Sequence, residues 1–131
     1  MNGYIFNLKK WKNILDGETV FIIGNGPSIL EENLSLLDGR FSIGINRCFK
    51  IYDPTILFWQ DREMYAKNEL DQIRRTKAIK VCKDSINNND EFSKFRVEKG
   101  NFSFDVLPQR LQGLGCTGAL AAQLAVTMGG W

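Results

Sequence analysis

The fold of this chain is decided by the stretch TVFIIGNGPS, residues 19–28. In it, five β-favouring residues, Thr19 to Ile23, are followed at once by the turn residues Gly24 to Ser28. A continuous apolar run of this kind is typical of a strand buried on both faces. In an open α/β sheet, ligands bind beyond the carboxyl ends of the strands. The stretch therefore predicts a first strand with a ligand-binding loop at its end.

Further strands and helices alternate along the rest of the chain. The patterns predict a lead-in helix within residues 1–17, ended by Gly17, and further helices over 29–37, 62–75 and 117–128. They predict strands over 41–45, 55–59, 78–82 and, more weakly, 104–107, with a polar loop at 87–90 and a glycine-punctuated loop at 111–116. The charged face of the helix over 62–75 is expected to be solvated, and the last helix to be packed on most sides.

Strands that alternate with helices at short spacing form parallel βα units with right-handed crossovers. We therefore predict an α/β, Rossmann-like three-layer fold with a mainly parallel sheet. At 131 residues, with 44% hydrophobic and 24% charged side chains, the chain is expected to form one domain, residues 1–131. Seventeen basic and fifteen acidic residues give a net charge of only +2, which argues against a nucleic-acid partner.

The cysteines and the amino terminus bear on where the protein is found. Cys48, Cys82 and Cys116 are odd in number and widely spaced, and the chain has no histidine to complete a zinc site. We expect buried free thiols in a reducing compartment. No stretch has the basic and apolar regions of a signal peptide or the roughly 20 apolar residues of a membrane span. The sequence thus predicts a cytoplasmic protein without a transmembrane segment.

Each residue of the first loop has a use in binding a phosphate-containing ligand. Gly24 and Gly26 allow a tight turn and close approach of a ligand, and Pro27 stiffens the start of the next helix. Asn25 offers amide donors and an acceptor, while Ser28 offers its hydroxyl beside free backbone N–H groups. The alternative is a tight βα turn with a Ser or Asn cap.

Two common phosphate-binding motifs do not fit this loop. The dinucleotide fingerprint GxGxxG requires glycine where Ile29 stands, and the second strand ends in Asn46 instead of an acidic ribose ligand. The GK[ST] ending of a P-loop is also missing. Binding of NAD, and of ATP in the Walker manner, is therefore disfavoured.

The next two strand ends carry further polar side chains. Asn46 and Arg47 follow the second strand, and Arg47 could pair with a phosphate, or simply be a surface arginine. Gln60 and Asp61 follow the third strand. Asp61 could bind a ribose hydroxyl, a base amine or a hydrated Mg²⁺, or cap the next helix. In a parallel sheet all of these residues share one edge with Asn25, so Asn46, Arg47, Gln60 and Asp61 are all candidates for binding the same ligand.

The last predicted helix begins with Cys116, Thr117 and Gly118. Thr117 supplies a hydroxyl, Gly118 allows close approach, and the helix amino terminus favours an anion. The alternative is a plain Thr cap with a glycine for helix packing. Cys116 is disfavoured as a nucleophile because the chain has no histidine to activate it.

Four stretches in the same order resemble a known group of proteins. They are FIIGNGPSI at 21–29, IGINR at 43–47, DPTILFWQD at 53–61 and GCTGALAAQLAVTMG at 115–129. Together they resemble bacterial lipooligosaccharide sialyltransferases and their MptE-like relatives, which include motility accessory factors and archaeal 6-hydroxymethylpterin diphosphokinases. The first stretch is fairly specific, and the other three are suggestive through their order and spacing.

The resemblance implies a nucleotide site. In the sialyltransferases the matching positions contact the CMP part of CMP-sialic acid, which assigns this role to Asn25, Asn46, Thr117 and Gly118. That reading needs no metal and leaves the glycan acceptor unassigned. In the MptE-like branch, an aspartate matching Asp61 serves phosphate or metal chemistry, which implies Mg²⁺-dependent pyrophosphate transfer instead.

The chain departs from the sialyltransferases in lacking their general-base histidine, since it has no histidine at all. It also stops where they continue with a further strand, so we expect it to match the amino-terminal part of a longer family member, with a sheet incomplete relative to the family. An unfinished sheet exposes an edge strand and favours homo-oligomers. The expected function is nucleotide-sugar binding, with transfer inactive in this chain alone; the alternatives are diphosphokinase-like phosphotransfer and a catalytically silent assembly module.

Overall fold

The computed structural model describes residues 11–65, 67–83, 91–99, 110–113 and 116–130. They form an α/β fold around a parallel six-stranded sheet whose strand order follows the chain order. The strands are β1 (Val20–Ile23), β2 (Phe41–Ile45), β3 (Ile56–Trp59), β4 (Ile79–Lys83), β5 (Ser93–Lys99) and β6 (Arg110–Gly113). The α-helices in the described ranges are α1 (Lys67–Arg75) and α2 (Thr117–Thr127). The predicted α/β class with a parallel sheet is confirmed.

The strand side chains alternate between two apolar layers, because successive residues of a strand point to opposite faces. On one face, Ile56 and Phe58 of β3 pack with the α2 residues Leu120 and Leu124. On the other face, Leu57 and Trp59 pack with Ile73 of α1. The sheet is therefore the middle of three layers.

The segment between β1 and β2 differs from the single helix predicted over 29–37. It forms two short 3₁₀ turns, Pro27–Glu31 and Leu34–Leu37. At the start of the second turn, the Ser35 hydroxyl donates to Asn33 Oδ1 at 2.6 Å. Such local side-chain bonds compete with helix formation, and Leu30 and Leu36 stay largely exposed, so packing does not enforce a helix here.

Two other expectations are corrected. The helix predicted over 62–75 is a 3₁₀ turn, Arg62–Tyr65, followed by the shorter α1. Residues 111–113, part of the predicted loop over 111–116, belong instead to β6. Strand β5 was not predicted. The strand expected at 104–107 and the loop expected at 87–90 lie outside the described residues.

Helix α2 crosses the sheet and ends beside the start of β1. Gly130 packs so closely against Val20 that a Cβ would clash with its side chain. The turn over residues 11–17 bonds to the same helix end: Leu15 N–H donates to the Met128 carbonyl at 2.6 Å. Gly17 is left-handed, with φ of +76°, as predicted for the end of the lead-in segment, whose first ten residues lie outside the described part. Among the described residues, no helix combines the length and apolar character that crossing a membrane requires.

Candidate functional site

The predicted site residues lie at one edge of the sheet, where the strands end. The pairing of Ile23 with Gly44 and of Ile45 with Phe58 sets the ends of β1, β2 and β3 side by side. Helix α2 begins over the same edge, since a Cβ built on Gly118 would lie 4.0 Å from Ile45 Cδ1. We call this region the carboxyl edge: residues 24–28, 46–47, 60–61 and 116–118.

The glycine loop at the end of β1 is open to solvent. Neither Gly24 nor Gly26 has a positive φ, and a Cβ built on either one meets no atom of the described residues within 4 Å. Asn25 and Ser28 are also exposed, and Pro27 opens the five-residue 3₁₀ turn. The turn itself therefore does not require glycine, whereas the free space beside it is what a closely bound ligand needs.

Asn46 is held in an uncommon backbone conformation. Its φ is +51°, and Asn13 is the other described non-glycine residue with a positive φ. Asn46 Oδ1 is buried and has no hydrogen-bond partner among the described residues. An unpaired buried acceptor costs about 1–3 kcal/mol, and left-handed residues are concentrated at functional sites. Both features fit an acceptor reserved for a ligand.

Arg47 faces carboxylates of the protein. Its Nε lies 3.6 Å from Glu69 Oε1, and its Nη2 lies 3.8 Å from Glu63 Oε2. Lys50 donates to the same Glu69 oxygen at 2.8 Å. Arg47 and Lys50 belong to a 3₁₀ turn, Asn46–Lys50, that we call the Asn46 turn. Glu69, on α1, thus fastens this turn to the neighbouring helix.

Glu69 was not singled out from the sequence. The charged face of its helix was predicted to be solvated, yet Glu69 is only 9% exposed. Glu69 lies one helical turn before Ile73, which is fully buried. This spacing, which places both residues on the same face of the helix, is the sequence signal that could have indicated the burial of Glu69. The partner cations lie on a different element, however, so their pairing depends on tertiary structure.

The two residues after β3 differ in their surroundings. Gln60 Nε2 donates to Thr117 Oγ1 at 2.9 Å, which joins the end of β3 to the start of α2. Asp61 is exposed, and its backbone carbonyl accepts from Met64 N–H at 3.2 Å. The described residues contain no cluster of three or more His, Cys, Asp or Glu side chains that could hold a metal.

At the start of α2, the N-cap residue is Cys116, which makes no side-chain capping bond. Thr117 is the first helical residue, so it is not the N-cap predicted as an alternative. It is buried, and its hydroxyl accepts a hydrogen bond from Gln60. The first N–H groups of a helix lack intrahelical partners. The helix start therefore presents hydrogen-bond donors at the carboxyl edge.

The three cysteines are free thiols, but they are not all buried as predicted. Cys48 and Cys82 are buried, whereas Cys116 is exposed. Burial, with a smaller contribution from the Asp53 carboxylate, raises the pKa of the Cys48 thiol to about 12. Cys48 thus stays protonated at neutral pH and plays a packing role in the Asn46 turn.

Two hollows lie elsewhere on the surface. One, of about 1200 Å³, lies at the opposite edge of the sheet and is lined by residues such as Asp38, Arg40 and Thr55. The other, of about 550 Å³, runs along β1 and reaches Gly24, but its lining is mainly apolar. Neither hollow is lined by Asn46 or Thr117. We favour the carboxyl edge over either hollow because it combines open glycines, helix-start donors and an unpaired acceptor.

The fold and this edge define an α/β protein with a parallel sheet and a cluster of polar groups at the strand ends. Comparison of the chain with models of protein families, with curated proteins and with solved structures found no match.

Proposed function

We propose that the carboxyl edge binds a nucleotide or nucleotide sugar, most simply a CMP-linked one, as in the sialyltransferases that the sequence resembles. The chain would then be the nucleotide-binding part of a sialyltransferase-like glycosyltransferase in the cytoplasm. Asn46 carries the proposal: its left-handed backbone and its buried, unpaired Oδ1 stand at the strand end where such a ligand would bind.

The neighbouring groups suit a phosphorylated ligand in complementary ways. The open space at Gly24 and Gly26 would let the ligand approach the backbone. The helix-start donors at Thr117 and Gly118 would bind phosphate oxygens. Arg47 could add its charge by leaving Glu63 and Glu69, because both of its ion-pair distances exceed 3.5 Å.

Transfer would proceed by direct displacement of CMP from the sugar, with the acceptor hydroxyl deprotonated by a general base. The chain has no histidine for that step. General-base assistance is typically worth roughly 10²–10⁴-fold in rate. We therefore propose nucleotide binding by this chain, with transfer weak or absent without a base from elsewhere.

The test is a calorimetric titration of the protein with CMP, CDP, UMP and ATP, each with and without Mg²⁺. The proposal predicts saturable binding with CMP or CDP tighter than UMP and ATP, and little effect of Mg²⁺. Absence of binding for all four nucleotides would overturn it.

The same titration tests the two alternatives. Diphosphokinase-like chemistry requires ATP binding that depends on Mg²⁺ and is lost in Asp61→Asn. A catalytically silent assembly module predicts a stable oligomer that binds no nucleotide; β1 pairs only with β2 among the described strands, and Phe21 and Ile22 are 36% and 40% exposed. Light scattering on the same samples measures the oligomeric state and so identifies this last alternative.

A further inference from the structure

The hydrogen bond between Gln60 and Thr117 has a defined direction. Gln60 Nε2 is the donor and Thr117 Oγ1 the acceptor, 2.9 Å apart and 57 residues apart in sequence. Thr117 is 8% exposed, so solvent competes little with Gln60 for its hydroxyl. The donor on Gln60 therefore constrains how that hydroxyl can bond.

A hydroxyl group has one hydrogen to donate and two lone pairs to accept with. An amide N–H can only donate, so the Thr117 oxygen accepts the bond from Gln60 through one of its lone pairs. The hydrogen of the Thr117 hydroxyl is not used in this bond and can be donated to another partner. The backbone N–H groups beside it, in the first turn of α2, are also donors. The Thr117 hydroxyl hydrogen and these N–H groups are then neighbouring donors, and donors are what an anionic oxygen binds.

We infer that Gln60 is a positioning residue: it sets the Thr117 hydroxyl to donate to a phosphate oxygen of the ligand. This inference rests on the proposed function and deepens it, since it assigns to Gln60 the orientation of the hydroxyl that binds the phosphate at the start of α2. Gln60, expected from the sequence to contact the nucleotide, acts here through Thr117.

Two near-isosteric, uncharged changes test this. Thr117→Val removes the hydroxyl, and Gln60→Met removes the donor that orients it. In calorimetry with CMP, Thr117→Val is expected to raise the Kd about tenfold, as for a lost hydrogen bond to a charged group, and Gln60→Met about threefold to tenfold. Binding of cytidine, which has no phosphate, is expected to stay within about twofold. Thr117→Ser, which keeps the hydroxyl, is expected to bind CMP like the unmodified chain.

The double variant distinguishes positioning from direct contact. If Gln60 acts through the Thr117 hydroxyl, Gln60→Met has no further effect on CMP affinity once Thr117→Val is present. Additive losses would overturn the inference and assign Gln60 a direct contact. Unchanged CMP affinity in Gln60→Met would also overturn it, while leaving the proposed function intact. Failure of the unmodified chain to bind CMP would remove both together.

A pH series with Gln60→Glu provides an independent readout if Gln60→Met is poorly folded. An ionised carboxylate cannot donate to Thr117, whereas a protonated carboxyl can. CMP affinity relative to the unmodified chain should therefore recover as the pH falls toward the pKa of the introduced carboxyl, ordinarily about 4.3. The ratio at each pH cancels the titration of CMP itself. Charge repulsion between this carboxylate and the phosphate would also weaken with falling pH, and it would persist when Thr117→Val is present. A ratio that does not change with pH, or that changes equally in the Thr117→Val background, would contradict the assigned direction.

Discussion

At the scale of single residues, the glycines of this chain differ in whether the fold requires them. Gly24 and Gly26 have ordinary φ values and open space where a Cβ would stand. By contrast, a Cβ on Gly44 would approach Pro54 Cγ to 2.7 Å and would clash with Cys48 as well. Gly44 is thus needed for packing, whereas the two loop glycines are not.

We therefore expect Gly24→Ala and Gly26→Ala to fold normally, with an unfolding free energy unchanged or raised by up to about 1 kcal/mol. Each should nevertheless weaken CMP binding at least about threefold, because the added methyl group occupies space reserved for the ligand. Denaturant unfolding and calorimetry on the same samples measure both effects. Gly44→Ala is the control and should lose about 1–3 kcal/mol of stability through overpacking. Loop variants that bind CMP normally would show that the open space is not used.

Asn46 permits an equally direct test. Glycine adopts its left-handed backbone without strain, so Asn46→Gly removes the amide and keeps the conformation. We expect stability within about 1 kcal/mol of the unmodified chain and a CMP affinity about tenfold lower. Asn13→Gly is a matched control, since Asn13 has φ of +58° and is not at the carboxyl edge. Equal effects of the two changes on CMP binding would contradict a ligand role for Asn46.

At the scale of elements, α1 holds the Asn46 turn through Glu69. This carboxylate is largely buried and bonds to Lys50, whereas Glu63 is 81% exposed and only loosely paired with Arg47. Exposed ion pairs contribute little to stability, but a shielded, hydrogen-bonded one contributes more. The two glutamates therefore form a matched pair for mutation.

Glu69→Gln is expected to lower the unfolding free energy by about 1 kcal/mol, and Glu63→Gln by less than about 0.5 kcal/mol. The difference should shrink in 1 M salt to the extent that solvent reaches Lys50, which is 39% exposed. Urea titrations at two salt concentrations measure it. An equal loss in both variants would mean that Glu69 does not anchor the turn.

Some helices and strands could be predicted from sequence patterns alone, and others could not. Strand β2 matches its predicted range, and the end of α2 differs from its predicted position by one residue. Both could be predicted because each is a mainly apolar segment, and a mainly apolar segment indicates burial. The segment 29–37 has helical apolar spacing too, but Leu30 and Leu36 stay largely exposed, and the Ser35 hydroxyl bonds locally to Asn33. Strand β5 reads as a charged stretch, SKFRVEK, and its pairing with β4 and β6 comes from tertiary contacts that a local pattern does not contain.

The candidate site, too, could be predicted from the sequence only in part. Parallel strands bring their carboxyl ends to one edge, so the proximity of Asn25, Asn46 and Gln60 could be predicted from strand order alone. The bond from Gln60 to Thr117 could not, because it depends on how α2 crosses the sheet. The pairing of Arg47 with Glu69, which competes with any phosphate role of that arginine, depends likewise on the placement of α1.

At the scale of the whole molecule, the three cysteines report on three places: Cys48 on the Asn46 turn, Cys82 on the apolar layer with α1, and Cys116 on the site. Cys48 and Cys82 are buried, and the pKa of Cys48 is raised to about 12, whereas Cys116 is exposed at the start of α2. Iodoacetamide at pH 8 should therefore modify Cys116 rapidly and the other two only on unfolding. Mass spectrometry over time measures this, with Cys116→Ser as the control. Rapid modification of Cys82 would contradict the layer formed on α1.

Binding of a nucleotide at the carboxyl edge of the sheet can be tested with a ¹H–¹⁵N correlation spectrum of the labelled protein during titration with CMP. We expect saturable shifts of the amides of Gly24, Asn25, Gly26, Asn46 and Gly118. The amides of Asp38, Gly39 and Lys77, at the hollow on the opposite edge, should not move. Shifts confined to that hollow, or no shifts at millimolar CMP, would contradict binding at the carboxyl edge.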